Sequence, residues 1–322
     1  LCIGTILTIS QSRLLGATDT PSANISTVPT FECISIYFSA AQKGVCQVFF
    51  KPTDEHIWHQ ALDMVYGDRE QEYRGSIVRL VPNTTYDIKL VLQGEAFFTE
   101  ETTQSEEWKI GKTSLVSSGP DPIQITESGT PGSWHLIKPP DSSHTIINVR
   151  NTHDNGLVID ADYVIIRGLE IKNAARHGIL IKEGRHHIVI EDCHITVWGR
   201  IGGSVSFGNE GNMDSGIYAE KGAGNLYIQY NLINNPRGCA NDWDSGHPGG
   251  PQAISLTNSS GGNVIRYNDL LTSPDHSFND IIGGSSNYSM AGSPNCDSDI
   301  YGNILRGSHD DAIESEGANM NV

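Results

Sequence analysis

From His144 onward the chain repeats one short pattern, and a unit of this size can bury its apolar face only against its own copies. The units start at Gly156, Gly178, Gly216, Ala253, Ile281 and Ala312. A polar residue precedes each start (Asn155, His177, Ser215, Gln252, Asp280, Asp311) and an apolar one follows (Leu157, Ile179, Ile217, Ile254, Ile282, Ile313). Ile166, Ile190, Ile228, Ile265 and Ile300 mark a second strand, and three residues beyond them stand Leu169, Cys193, Asn231, Asn268 and Asn303. The starts lie 22, 38, 37, 28 and 31 residues apart. A leucine-rich solenoid would show constant spacing and L-x-x-L-x-L blocks, and neither is present. The pattern is a coil of two or three short strands, with loops inserted at fixed corners.

Parallel coils stack about 4.8 Å apart, so equal positions form columns. The apolar column becomes a continuous core, and Asn231, Asn268 and Asn303 become a ladder of side-chain amides. Over residues 144–322 this resembles the right-handed parallel β-helix of the pectate-lyase-like superfamily. The resemblance implies an all-β fold whose groove holds a polysaccharide. The chain stops where a further strand is due, so the β-helix reads as C-terminally incomplete.

Before the repeat, residues 18–100 carry short alternating runs such as Ile34, Ile36 and Phe38, the spacing of an antiparallel sandwich. Within them Leu80-Val81-Pro82-Asn83-Thr84-Thr85-Tyr86 resembles the L-x-P-x-T-x-Y corner of fibronectin type III domains. The resemblance implies a Tyr86 hydroxyl bonded to nearby backbone, a structural role. Cys33 and Cys46 fall on neighbouring expected strands, where an oxidising compartment would allow pairing. The Glu-rich segment from Glu95 to Gly111 reads as linker or solvated surface, and residues 101–143 as the approach to the β-helix. Residues 1–17 form an apolar start that reads as the remnant of a signal peptide. A secreted or cell-surface protein is the expectation.

Charge narrows the partners. Lys and Arg number 21 against 38 Asp and Glu, a formal charge of −17, which argues against nucleic acid and anionic membrane as partners. No close Cys/His spacing suggests zinc.

Distances from each second-strand marker to the next start are 12, 26, 25, 16 and 12 residues. The excess therefore falls at one corner of three consecutive coils, where it would wall a groove. The insertions carry Arg200 and Asn209 to Asp214, then Arg237, Cys239, Asp242, Trp243, Asp244 and His247, then Asp275, His276 and Asn279. Trp243 offers a face on which a sugar ring can stack. The groove floor is expected from outward positions of the first strands: Leu180 and Lys182, Tyr218 and Glu220, Ser255 and Thr257, Glu314 and Glu316.

At the corner Asp280 and Asp311 stack one coil apart, with Asp310, Glu314 and Glu316 close in sequence. Two unit charges about 4.8 Å apart repel by roughly 3.5 kcal/mol at an effective dielectric near 20. Such acids either share a proton, which suits general-acid work, or hold a hard cation such as Ca²⁺, with Asp280, Asp311, Glu314 and Glu316 as ligands. A uronide lyase needs a base and a group to stabilise the enolate; Lys182, Tyr218, Arg200, Arg237, His247 and His276 are the candidates. A glycosidase needs two carboxylates, which Asp280, Asp310, Asp311 and Glu314 supply. The adjacent Asp310-Asp311 resembles that of β-helical polygalacturonases, but the N-T-D, G-H-G and R-I-K motifs of that family are absent. The reading favours a lyase on an acidic glycan, with a hydrolase or a non-catalytic glycan-binding β-helix as alternatives. Tyr218, Trp243, Arg200 and Asp214 are the expected substrate contacts. His153, His177, His186, His187 and His194 read as surface decoration, and Cys193 as a buried, inert thiol.

Overall fold

The structure is a computed structural model that describes residues 24–40, 42–140, 144–200, 213–285, 289 and 292–315. The apolar start, Asn209 and Glu316 lie outside the described residues.

Two antiparallel sheets form the N-terminal sandwich. One runs Asn24–Pro29, Cys33–Ser39, Glu72–Val78, Val65–Gly67; the other His59–Gln60, Cys46–Pro52, Thr85–Leu92, Glu95–Thr102. Strict alternation in Thr85–Leu92 turns Tyr86, Ile88, Leu90 and Leu92 inward against Ile34, Ile36, Phe38 and Ile77. The Val81 N–H donates to the Tyr86 hydroxyl at 2.9 Å and pins the turn into that strand. Two expectations change. Glu95–Thr102 is a strand paired to Thr85–Leu92 rather than a linker, its solvated side giving it a polar composition. Cys33 and Cys46 stand buried in opposite sheets and are not joined in a disulfide, so following one another in sequence does not make them partners.

The rest of the chain winds through three parallel sheets, a parallel β-helix. The first sheet stacks Ile123–Ile125, Asn155–Ile159, His177–Ile181, Ser215–Ala219, Gln252–Thr257 and Ile282–Ser285. The second stacks Ile110–Leu115, Trp134–Lys138, Val164–Arg167, His186–Glu191, Gly224–Gln229, Val264–Arg266 and Asp299–Tyr301. The third stacks Thr145–Asn148, Leu169–Lys172, His194–Thr196, Leu232–Asn234, Asp269–Leu271 and Ile304–Arg306. The winding thus begins at Ile110, upstream of His144; its first strand puts Ser114 in the column that Ile137 and Ile166 continue.

Register follows the repeat. Leu157, Ile179, Ile217, Ile254, Ile282 and Ile313 pair in one column, and Ile166, Ile190, Ile228, Ile265 and Ile300 in another. Small starting residues have a steric cause. A Cβ on Gly156, Gly178 or Gly216 would lie 2.4–2.5 Å from the Cγ2 of Ile171, Ile195 or Ile233, which point in from the third sheet. The amide ladder is present: Asn231 Nδ2 donates to Asn268 Oδ1 at 3.0 Å, and Asn268 Nδ2 to Asn303 Oδ1 at 2.9 Å.

The sandwich covers the outer face of the second sheet. Phe31 is buried there with Trp134, Leu136, Ile165, Val189, Tyr227 and Val264. Beside it the fully buried Arg266 meets Glu106 at 2.6 Å, Glu32 at 3.4 Å and the Phe31 ring at 4.1 Å. With that face closed, the corner between the third and first sheets, where the insertions leave, is the open edge. Among the described residues no helix is long and apolar enough to cross a membrane.

Candidate functional site

At this corner each coil passes a polar residue before the first sheet, and the loops of successive coils fold onto one another. The Ala240 N–H donates to Ser277 O at 2.9 Å, tying the second insertion to the next coil. That insertion then reaches one coil further. Trp243 Nε1–H donates to His309 O at 3.1 Å, His309 Nδ1 lies 3.1 Å from Asn241 O, and His247 Nε2 stands 3.4 Å from Asp310 Oδ2. The His247 ring is also 4.9 Å from that of Trp243, which remains 57% exposed. Asp242 sets the indole by accepting the Ser245 N–H at 3.1 Å, closing the single 3₁₀ turn Trp243–Ser245. His247 Nδ1 lies 2.9 Å from Pro248 O, a carbonyl that accepts from it, so Nε2 is the nitrogen that faces Asp310. Burial raises the Asp310 carboxyl above the usual carboxylate range while the His247 charge opposes the rise. An exposed indole face, an imidazole and a carboxylate therefore share one patch of the corner.

Asp280 lies behind that patch, buried rather than facing the groove. Its Oδ2 accepts Gln252 Nε2 at 2.9 Å and Asn279 Nδ2 at 3.0 Å, and its Oδ1 accepts the Asp311 N–H at 3.2 Å. It thus binds three consecutive coils together. Asp311 is next to it, as the columns require, but exposed.

Two buried groups at this corner titrate in opposite senses. Burial, reinforced by the charges of Asp310 and Asp311, pushes Asp280 up to about 6 despite the hydrogen bonds it accepts. Burial pulls the His177 imidazole down to about 4; its Nδ1 accepts the Ser215 N–H and its ring stacks on Tyr218 at 4.4 Å. An acid raised on folding loses stability as pH climbs from its unfolded value through its folded one, here about 3 kcal/mol between pH ~4 and ~6. A histidine lowered on folding loses a similar amount, about 3 kcal/mol, as pH falls from ~6.5 to ~4, so the two slopes oppose. Relative to the parent, Asp280→Asn is expected to gain about 3 kcal/mol between pH ~4 and ~7. Chemical denaturation of both proteins across that range checks this, and a pH-independent difference would contradict it.

Several expected site residues are placed elsewhere. Lys182 follows the five-residue strand His177–Ile181, about 16 Å from the corner, where it forms an ion pair with Glu220 at 2.7 Å. Asp214 is fully buried, so it cannot contact a substrate; burial raises its pKa, but Arg200, bonded through Nε at 2.9 Å and Nη2 at 3.0 Å, brings it below the usual range. Arg200 and Arg176 close over it. Arg237 donates to Ala174 O and is half-buried, a brace between coils. His276 sits in the turn Pro274–His276 with its Nδ1 buried and unpartnered. Tyr218 lies mid-strand and accepts from the Thr257 hydroxyl at 3.0 Å. Ser255, expected on the floor, is fully buried. Glu314 follows the last described pairing, where its N–H donates to Ile282 O. Of the four expected Ca²⁺ ligands Glu316 lies outside the described residues and the Asp280 oxygens are taken up by N–H donors, while among the described residues no three His, Cys, Asp or Glu side chains converge. The reading of His177 as decoration is also overturned, because the polar column that holds Asp280 holds this buried ring too.

No family of known proteins matches the sequence, and no curated protein does. Solved structures with a similar course include an alginate lyase from Paenibacillus sp. (11% identity, 66% of this chain and 93% of that one, TM-score 0.29). Another is a pectate lyase from Erwinia chrysanthemi in complex with tetragalacturonic acid (11% identity, 79% and 87%, TM-score 0.22). No residue role is carried over from either.

Proposed function

We propose that the protein is a polysaccharide lyase acting on a uronate-containing glycan, with His247 as the base. The observation that carries this reading is that one insertion brings His247 and exposed Trp243 onto Asp310, which stands two coils on, at an open corner. Trp243 stacks a sugar ring; the His247 imidazole, held by Asp310 and Pro248 O, takes the proton alpha to the uronate carboxylate. The C–H electron pair becomes the C=C bond as the glycosidic C–O bond at the beta carbon breaks, and the departing oxygen takes a proton from the imidazolium or from water. Asp280 holds the coils that present them, a positioning residue. A two-carboxylate hydrolase is the second reading, favoured by the raised pKa of Asp280 beside Asp310 and Asp311. It would require Asp280 to leave three hydrogen bonds. The N-terminal sandwich goes with this reading as a fibronectin-III-like module, and a secreted or cell-surface setting is where such polymers are met.

Incubation with polygalacturonate, alginate and hyaluronan tests the reaction class. A lyase yields chain ends carrying the ultraviolet absorbance of an unsaturated uronate. New reducing ends without that absorbance would mark a hydrolase, and retained affinity without product a binding module. On the cleaved polymer Trp243→Ala is expected to raise KM about tenfold with kcat little changed, since stacking is a uniform binding contribution. An unchanged KM would remove Trp243 from the site.

A further inference from the structure

A second site lies away from this corner, where the segment 104–109 crosses the outer face of the second sheet. A cavity of about 380 Å³ opens there. Trp108, Trp134, Tyr163, His187 and Tyr227 line it, and Gln104, Ser105, Glu107 and Lys109 supply its polar edge. Trp108 meets Trp134 at 4.4 Å and Tyr227 at 5.3 Å, while Tyr163 and His187 stack at 4.5 Å. We propose that this cavity binds a neutral pyranose unit of a glycan, independently of any reaction at His247.

Three observations carry the proposal. The first is the dense aromatic lining with a polar edge, the arrangement that takes the C–H face of a sugar and its hydroxyls together. The second is the Trp108 Nε1–H, a buried donor with no acceptor in the protein. A donor of this kind calls for a ligand rich in acceptors, which hydroxyl oxygens provide and a quaternary ammonium does not. Glu107 and Lys109 carry opposite charges, so the edge selects no net charge.

The third is the backbone. Tyr163, His187, Asn225, Gly262 and Asp297 hold the same corner position in successive coils, with φ of 56°, 55°, 50°, 68° and 52°. Asn, Asp and Gly tolerate this left-handed conformation, whereas Tyr and His adopt it at greater cost. Both costly residues, Tyr163 and His187, line the cavity, which Trp134 and Tyr227 from the flanking coils complete. Folding alone would be served better by Asn or Gly at both.

Isothermal titration of the full chain with cellohexaose, xylohexaose and mannohexaose tests this. At least one is expected to bind, with affinity lowered about tenfold by Trp108→Ala. Tyr163→Asn is expected to lower affinity similarly while Tm is held or raised, a separation that a structural role for the ring would not give. Asp310→Asn is expected to leave this binding unchanged, so it stands or falls apart from the lyase reading. Failure of all three sugars to bind, binding indifferent to both aromatic substitutions, or saturation by choline in their place would overturn the proposal.

Discussion

His247→Ala is expected to lower kcat/KM on a cleaved uronate polymer by about 10²–10⁴-fold, the usual contribution of a positioned general base. The effect should lie in kcat, because the imidazole acts on a proton that moves only in the transition state. Far-UV circular dichroism and Tm should stay at parental values, since His247 is partly exposed on an insertion whose anchors are other groups. Those anchors are the Ala240 N–H on Ser277 O and the Trp243 indole on His309 O. Steady-state kinetics with both physical checks decide the matter; unchanged kcat in a folded variant would remove His247 from the chemistry.

The largest stability effect is expected at the amide ladder. In Asn268→Ala, Asn231 loses the acceptor of both its backbone N–H and its Nδ2, each at 3.0 Å. Ile228 O also loses its donor at 2.9 Å. These groups lie inside the stack, where water does not replace the partner. At about 1–3 kcal/mol for each buried group left unsatisfied, the loss is expected to reach about 3–5 kcal/mol. Chemical denaturation measures it. Asn303→Ala, at a half-buried rung, is expected to cost less, and equal costs at both positions would show that the ladder does not act through burial.

Reading columns from sequence succeeded wherever a coil repeated both its alternation and its gap. The pairing of Ile217 with Ile254, or of Ile228 with Ile265, needs nothing more. The first turn escaped because Ile110–Leu115 carries Ser114 where Ile137, Ile166 and the later coils carry isoleucine. For the site, spacing put Trp243, His247 and Asp310 at one corner but not in contact. Contact depends on how an insertion folds, and here an indole N–H bonded to a backbone carbonyl two coils on decides it. Burial was the other hidden quantity. The same polar column offered Asp280 as a groove acid and left His177 to solvent, and both proved enclosed. Asp214 shows the same error: a carboxylate within an insertion looked accessible, yet two arginines close over it.

The central claim is that His247 and Asp310 work as one unit, so the most direct measurement is a double-mutant cycle on kcat/KM. His247→Ala, Asp310→Asn and the combined variant are compared on the uronate polymer that the parent cleaves. The account predicts that the double variant is no slower than His247→Ala alone, since Asp310 serves the reaction only through the imidazole. Losses that multiply, leaving the double variant slower by the product of the single effects, would contradict it.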